Sequence, residues 1–219
     1  MDKMIKTLIV TGGNCKEDLL KNLYQKEKFN NIIASDRGLE ILDKCNITPN
    51  YIIGDFDSID KKILDKYINN KNIKIIKLNP IKDYTDTHMG VKLALEIKST
   101  KILILGATGS RIDHVLGNVH VLKEALDNNT ECKIIDDKNE IQLINKSKVL
   151  KLDKRYKYVS LIPLTTEVKG LTLRGFKYEL SNSSIEIGHS LGISNEQIKE
   201  KANIDIKDGI IILIRSKDW

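Results

Sequence analysis

The string Gly54-Asp55-Phe56-Asp57-Ser58 places two carboxylates two residues apart, directly after a short apolar run at residues 51–53. A β-branched run that ends at a glycine is typical of the carboxyl end of a buried parallel strand, where α/β sheets hold their ligands. Neighbouring carboxylates repel each other unless a cation, a proton or a strong hydrogen-bond donor offsets their charge. Such oxygen ligands suit hard divalent cations. The pair therefore indicates a metal site, with capping of the following helix by Asp57 or Ser58 as the alternative.

Further acidic residues follow two other strand-like segments. Asp36 comes directly after the segment 31–35, and Asp83 and Asp86 come after the segment 73–78. Because the carboxyl ends of parallel strands lie along one edge of a sheet, residues far apart in sequence converge there. A single aspartate in a turn is more often a cap than a ligand. The presence of Asp55, Asp57 and Asp86 on one edge nevertheless favours a divalent-metal site.

A glycine-rich segment at residues 106–111 lies between a strand and a helix. In that position, backbone N–H groups and a helix start cradle phosphate, although an ordinary glycine-rich turn has the same composition. The segment is not a Walker A loop, because no Gly-Lys-Ser/Thr follows. Arg111 has the fork that holds phosphate oxygens bidentately, and it could equally pair with Asp113 or a surface carboxylate. Carboxylates beside a phosphate cradle suit phosphoryl transfer, in which positioning and charge neutralisation do most of the catalysis.

The elements that must position these residues alternate in the first part of the chain. Five units of strand, short turn and helix predict a parallel, doubly wound sheet. The strands are predicted at residues 6–10, 31–35, 51–53, 73–78 and 101–105, and the helices at 17–28, 39–45, 59–68, 88–97 and up to about 126.

The pattern changes after residue 128. Strands predicted at 131–135 and 140–144 flank a polar turn, and short β-rich segments then follow at 156–164, 170–173, 184–187 and 210–214. This spacing is typical of a small sandwich or barrel. We therefore expect an α/β domain over residues 1–145 and an all-β sandwich domain over residues 146–219.

Composition excludes several classes of protein. The net charge is +6 with an isoelectric point near 9.0, but the basic residues are spread along the chain, so no nucleic-acid partner is expected. No run approaches the roughly 18 apolar residues of a membrane span, and no signal-peptide core is apparent, so we expect a cytoplasmic protein. Three separated cysteines predict neither a disulfide framework nor a zinc cluster, and the histidines lack an HExxH spacing.

In this order and spacing, the turns resemble those of the thiamine pyrophosphokinase family in its bacterial form. The resemblance covers nearly the whole chain. In the first part it rests on Ser35-Asp36-Arg37-Gly38, Ile53-Gly54-Asp55-Phe56-Asp57-Ser58, Asp83-Tyr84-Thr85-Asp86 and residues 106–114. In the second part it rests on residues 160–164 and 170–173, Gly175-Phe176-Lys177-Tyr178 and Gly192-Ile193-Ser194-Asn195-Glu196.

The resemblance implies an α/β nucleotide-binding domain followed by a β-sandwich domain, in a homodimer with the thiamine site between subunits. It implies transfer of the diphosphoryl group of ATP to the hydroxyl of thiamine, giving thiamine diphosphate and AMP, with Mg²⁺. Carried over by motif, the resemblance implies that the magnesium and catalytic carboxylates are Asp55, Asp57 and Asp86. It further implies that the thiamine pocket includes Ser194 and Asn195, and that the groups around ATP are Asp36, Arg37, Asp83, Thr108, Gly109, Arg111 and Asp113.

Two other functions and one other local structure stay open from the residues. A pyrophosphokinase acting on a different hydroxymethyl heterocycle, such as a pterin, would keep every carboxylate and change only the pocket. A non-catalytic nucleotide-binding regulator would use the β domain to contact a partner, although binding alone does not need so many converging carboxylates. Residues 194–196 also fit a helix cap with a glutamate in the first turn.

Overall fold

Parallel strands alternate with helices in the first of two compact units, Met1–Asp137. The computed structural model describes residues 4–79 and 83–218. The strands of this unit are β1 (Lys6–Val10), β2 (Asn31–Ser35), β3 (Tyr51–Gly54), β4 (Lys74–Lys77), β5 (Lys101–Leu105) and β6 (Glu131–Ile135). They lie in the order β4-β3-β2-β1-β5-β6, and every neighbouring pair is parallel.

The helices of this unit are α1 (Glu17–Lys26), α2 (Gly38–Lys44), α3 (Lys61–Ile68), α4 (Asp86–Glu96) and α5 (Ile112–Asp127). Alternate residues of each strand point to opposite sides of the sheet, and helices cover both of these faces. Leu8 of β1 belongs to one buried cluster with Leu20 of α1 and Leu39 of α2. Ile9 points the other way, towards α4, where a Cβ on Gly90 would lie 3.3 Å from it. This arrangement explains why the central strands are apolar throughout, as buried parallel strands are.

The order of the strands reverses beside β1. The chain proceeds from β1 to β4 in one direction, and β5 then pairs with β1 on its other side. The loops that follow β1 and β5 therefore leave the sheet in different directions and open a crevice between them. Backbone hydrogen bonds join the two loops, from Thr11 N to Leu105 O (2.9 Å), Gly13 N to Gly106 O (2.8 Å) and Asn14 N to Thr108 O (2.7 Å).

The second unit, Lys138–Trp219, is built from antiparallel strands. They are β7 (Asn139–Ile144), β8 (Lys148–Lys151), β9 (Tyr158–Pro163), β10 (Glu167–Arg174), β11 (Leu180–Glu186), β12 (Lys201–Asp205) and β13 (Ile211–Ser216). β13 pairs with β7 and β9, while the order of the other sheet is β11-β10-β12-β8. Leu161 and Leu213 of the first sheet share a core with Leu171 and Ile204 of the second, so the two sheets pack face to face.

The predicted fold class, an α/β part followed by a β sandwich, is confirmed. The compact units divide after Asp137, whereas the sequence led us to expect a division after residue 145. Two strands were missed, β8 with the sequence KVLK and β12 with the sequence KANID. Lysines, Ala, Asn and Asp have low strand propensity, so the pairing of β12 with β10 and β8 determines these strands more than local preference does. Among the described residues, no helix is long and apolar enough to cross a membrane.

Candidate functional site

A cavity of about 510 Å³ lies at the reversal of strand order in the first unit. Its walls come from the loops after β1, β2 and β5 and from the first residues of α4 and α5. It is lined by Asp86, one of the predicted metal carboxylates, and by five residues predicted to lie around ATP: Asp36, Arg37, Thr108, Gly109 and Arg111. Three of the four turns identified from sequence, those after β2, β4 and β5, therefore meet at one crevice, and the turn after β3 does not line it.

Glycines let the loops approach each other closely at this cavity. A Cβ on Gly13 would lie 2.2 Å from Gly106 O, and a Cβ on Gly106 would lie 2.2 Å from Thr11 O. Gly106 also has φ +73°, a backbone conformation that residues other than glycine rarely adopt. The starts of α4 and α5 line the same cavity, and unpaired N–H groups at helix starts attract anions. The arrangement therefore suits a phosphate chain.

Asp36 lies between this cavity and the loop that carries the predicted metal carboxylates. Its φ is 49°, an uncommon conformation for a residue other than glycine. Ser58 Oγ donates a hydrogen bond of 2.6 Å to Asp36 Oδ2. Asp36 Oδ1 is buried and has no hydrogen-bond partner among the described atoms. A buried carboxylate oxygen without a donor is costly, so this atom is suited to accept from a ligand or to coordinate a cation.

Asp55 and Asp57 belong to the loop after β3 and lie outside the lining of the cavity. Asp55 Oδ1 accepts a hydrogen bond of 3.1 Å from Asp57 N, and Phe56 between them has φ 69°. The cap of α3 is Asp60, whose carboxylate accepts from Lys62 N at 2.8 Å. The alternative in which Asp57 or Ser58 caps that helix is therefore wrong.

Asp86 is the first residue of α4 and lines the cavity. The preceding Thr85 caps this helix by accepting a hydrogen bond of 3.2 Å from His88 N, so the helix begins two residues earlier than the sequence indicated. Across the described ranges 4–79 and 83–218, no three His, Cys, Asp or Glu side chains are grouped closely enough to hold a metal ion by themselves. Mg²⁺ generally does not need such a group, because it is commonly bound by one or two carboxylates together with substrate phosphates.

Arg111 and Asp113 form an exposed ion pair at the rim of the cavity. The distances are 2.6 Å from Arg111 Nη2 to Asp113 Oδ2 and 3.3 Å from Nε to Oδ1. The hydrogen bond from Arg111 lowers the pKa of Asp113, and that from His114 N adds to the effect. The sequence permits a phosphate, Asp113 or a surface carboxylate as the partner of Arg111, and the structure pairs it with Asp113. An exposed ion pair of this kind contributes little to stability, so breaking it costs little free energy.

A second cavity of about 660 Å³ lies along α5 and is lined by Asp83 and Asp113 among others. It shares Thr85, His114 and Asn118 with the first cavity. Asp83 therefore lies beside the first cavity without lining it, while Asp86 lines it.

The predicted thiamine residues lie in the second unit, after β11. Ser194 has φ 57°, and its N–H donates a hydrogen bond of 3.0 Å to Ser160 Oγ. Asn195 is buried, and its side chain accepts from Tyr178 N at 3.1 Å and donates to Tyr178 O at 2.7 Å. Its backbone pairs with Val159 rather than starting a helix, so the helix-cap alternative is wrong.

Some residues of these sites were missed by sequence reasoning. The Gly12-Gly13 turn lines the cavity, although a Gly-Gly pair after a strand fits a simple tight turn as well as a close approach to a ligand. Asn118 supports the glycine-rich loop, since its Nδ2 donates a hydrogen bond of 2.8 Å to Ala107 O. Tyr178 is 61% exposed and lies beside Asn195. Tyr178 belongs to one of the motifs on which the family resemblance rests, but no feature of the sequence marked Asn118.

Comparisons with known proteins agree with these features. Residues 20–135 match the family model described as thiamin pyrophosphokinase, catalytic domain, and residues 144–211 match that described as thiamin pyrophosphokinase, vitamin B1 binding domain. The chain is 33% identical to thiamine pyrophosphokinase of Bacillus subtilis, over 98% of this chain and 100% of the relative.

Solved structures show the same likeness. The crystal structure of thiamine pyrophosphokinase from Bacillus subtilis has a TM-score of 0.88 at 32% identity, and covers 98% of this chain and 100% of that chain. That of thiamin pyrophosphokinase from Geobacillus thermodenitrificans has a TM-score of 0.85 at 31% identity, with 98% of each chain covered. The resemblance drawn from the motifs is confirmed. The chain belongs to the thiamine pyrophosphokinase family.

Proposed function

We propose that this chain transfers the diphosphoryl group of ATP to the hydroxyl of thiamine, giving thiamine diphosphate and AMP. The observation that carries the proposal is the cavity at the reversal of strand order, where close glycine loops, two helix starts and the carboxylates of Asp36 and Asp86 meet. The catalytic-domain match covers the cavity-lining residues from Asp36 to Asn118, and the vitamin B1 binding-domain match covers Ser194 and Asn195. Both halves of the reaction therefore have candidate sites in the chain.

The triphosphate of ATP is placed in the cavity, against the loops after β1 and β5. Backbone N–H groups and the starts of α4 and α5 favour its negative charge. Thr108 is held there by its hydroxyl, which donates a hydrogen bond of 2.9 Å to Asp136 Oδ2. Arg111 exchanges Asp113 for a phosphate oxygen when the nucleotide binds. Phosphoryl-group transfer depends mainly on such positioning and charge neutralisation.

The carboxylates fit Mg²⁺, as judged from their chemistry and from the unpartnered Oδ1 of Asp36. Asp55, Asp57 and Asp86 are the residues assigned to hold it, with Asp36 and Asp83 in support. Bound there, the cation would neutralise charge that develops on the transferred phosphates.

The thiamine hydroxyl attacks the β-phosphorus in line with the bond to the α-phosphate. A new bond forms between that oxygen and the β-phosphorus, the bond between the β-phosphorus and the bridging oxygen breaks, and AMP leaves with the bonding pair. One of the carboxylates Asp55, Asp57 or Asp86 accepts the hydroxyl proton, and such a base contributes typically 10²- to 10⁴-fold to the rate.

We further propose a functional boundary near residue 145, with ATP chemistry before it and thiamine recognition after it. We assign a homodimer with thiamine bound between subunits, a cytoplasmic location, and no nucleic-acid or membrane partner.

The substrate is tested with a panel of thiamine, a hydroxymethyl pterin and no acceptor, each with ATP and Mg²⁺. We expect AMP and a diphosphate product, identified by mass, with thiamine alone. Formation of a diphosphorylated pterin would show that the acceptor is the pterin and not thiamine. Nucleotide binding without AMP release in any mixture would instead favour a regulator.

Ser194→Ala tests the thiamine pocket. Loss of one neutral hydrogen bond to the substrate is expected to raise the KM for thiamine by about 3- to 10-fold and to leave the KM for ATP nearly unchanged. Steady-state kinetics with each substrate varied in turn measures this difference. Equal changes in both KM values would contradict a thiamine contact at Ser194.

A further inference from the structure

The loop after β2 and the loop after β3 are joined at Asp36. Ser58 Oγ donates to Asp36 Oδ2 at 2.6 Å, although the two residues are 22 positions apart in sequence. A hydroxyl bonded to a carboxylate at this distance is a charge-assisted hydrogen bond, which is stronger than a neutral one. The backbones also meet, because Asp36 N donates to Ile53 O at 2.9 Å.

Two features indicate that the Asp55-Phe56-Asp57 segment depends on this junction. Phe56 has φ 69°, and a bulky residue holds such a conformation only where its surroundings impose it. Gly54, directly before the segment, approaches Asp36 so closely that a Cβ would lie 3.3 Å from Asp36 Cα. The segment is therefore held next to Asp36 on both sides, by the close approach of Gly54 and by the hydrogen bond from Ser58.

The hydrogen bond also determines which atom of Asp36 is left for a ligand. Oδ2 is occupied by Ser58, whereas Oδ1 is buried without a partner among the described atoms, and Asp36 lines the cavity. We propose that Ser58 is a positioning residue, which acts through Asp36 to hold the Asp55–Asp57 segment beside the nucleotide cavity and to present Asp36 Oδ1 to the bound metal–nucleotide complex. This inference rests on the proposed function.

The test measures binding without turnover. The probe is Mn²⁺ in complex with an ATP analogue that carries a methylene between the α- and β-phosphorus, titrated by calorimetry in the absence of thiamine. Ser58→Ala is expected to weaken binding by about tenfold, because a hydrogen bond to a charged group is lost. Ser58→Thr keeps the hydroxyl and should restore binding to within about threefold of the wild type, on the same scale. Ser147→Ala, at an exposed position between β7 and β8, is the matched control and should bind as the wild type does.

A double-mutant cycle shows whether Ser58 acts through Asp36. In the Asp36→Asn background, Ser58→Ala should weaken binding further by less than about twofold, since residues in one hydrogen-bond network are not additive. A tenfold loss in both backgrounds, no loss in Ser58→Ala, or no rescue by Ser58→Thr would each overturn the inference. Failure of the proposed function is distinguishable, because the wild-type protein would then make no thiamine diphosphate whatever the variants bind.

Discussion

Asp57→Asn is expected to lower kcat by about 10²- to 10³-fold, the loss seen when one group that stabilises transition-state charge is removed. The substitution keeps the shape of the side chain and removes its negative charge. Asp57 is exposed and does not cap α3, so the free energy of unfolding should change little. Steady-state turnover with thiamine and ATP, together with a urea unfolding curve, measures both quantities.

The matched control for this variant is Asp65→Asn, an exposed aspartate on α3 in the same region of the fold. It removes the same charge from the chain but lies outside the loop after β3, so it should turn over as the wild type does. Normal turnover of Asp57→Asn would show that the metal and catalytic role assigned to this residue is wrong. A parallel loss in both variants would point to net charge instead.

Gly13→Ala is expected to close the crevice between the loops after β1 and β5. The added methyl group would lie 2.2 Å from Gly106 O and 2.5 Å from Thr108 O, both of which are backbone atoms. Because backbone cannot move aside as a flexible side chain can, the loops must separate, at a cost of about 1–3 kcal/mol in stability. The displaced loop should also lower kcat/KM for ATP at least about tenfold, since displaced groups lose the geometry that positions the substrate.

Gly117→Ala is the control for the glycine substitution. It lies on α5, a Cβ there would meet nothing within 4 Å, and alanine in a helix is favoured over glycine by roughly 0.5–1 kcal/mol. We therefore expect equal or higher stability for this variant in urea unfolding. If Gly13→Ala were as stable as Gly117→Ala and kept its kcat/KM for ATP, the close approach of the two loops would not matter for the site.

Most of the first unit could be predicted because its signals are local. β1, β2, β5 and β6 begin and end at the predicted residues, since buried parallel strands are short β-branched runs bounded by glycine or polar turns. The parallel arrangement then placed Asp36 and Asp86 at one edge without any knowledge of side-chain contacts. β12 escaped detection because only its neighbours in the sheet make the sequence KANID a strand.

The details of the site could not be predicted, because they depend on register and side-chain direction. Whether Arg111 meets Asp113 or a phosphate follows from the rotamer at the start of α5, and the sequence permits both. The bond between Ser58 and Asp36 requires the pairing of β2 with β3, in which Ser35 lies opposite Ile53. The two hydrogen bonds between the Asn195 side chain and the backbone of Tyr178 depend in the same way on how the two loops meet.

Diphosphoryl transfer is tested with ATP labelled with ³²P at the β-phosphate, together with Mg²⁺ and thiamine, by following the label and the nucleotide products together. Diphosphoryl transfer predicts that the label appears in thiamine diphosphate, that AMP forms in equal amount without label, and that both stop when the metal is chelated. Formation of labelled ADP together with thiamine monophosphate, or no labelled thiamine product at all, would contradict it.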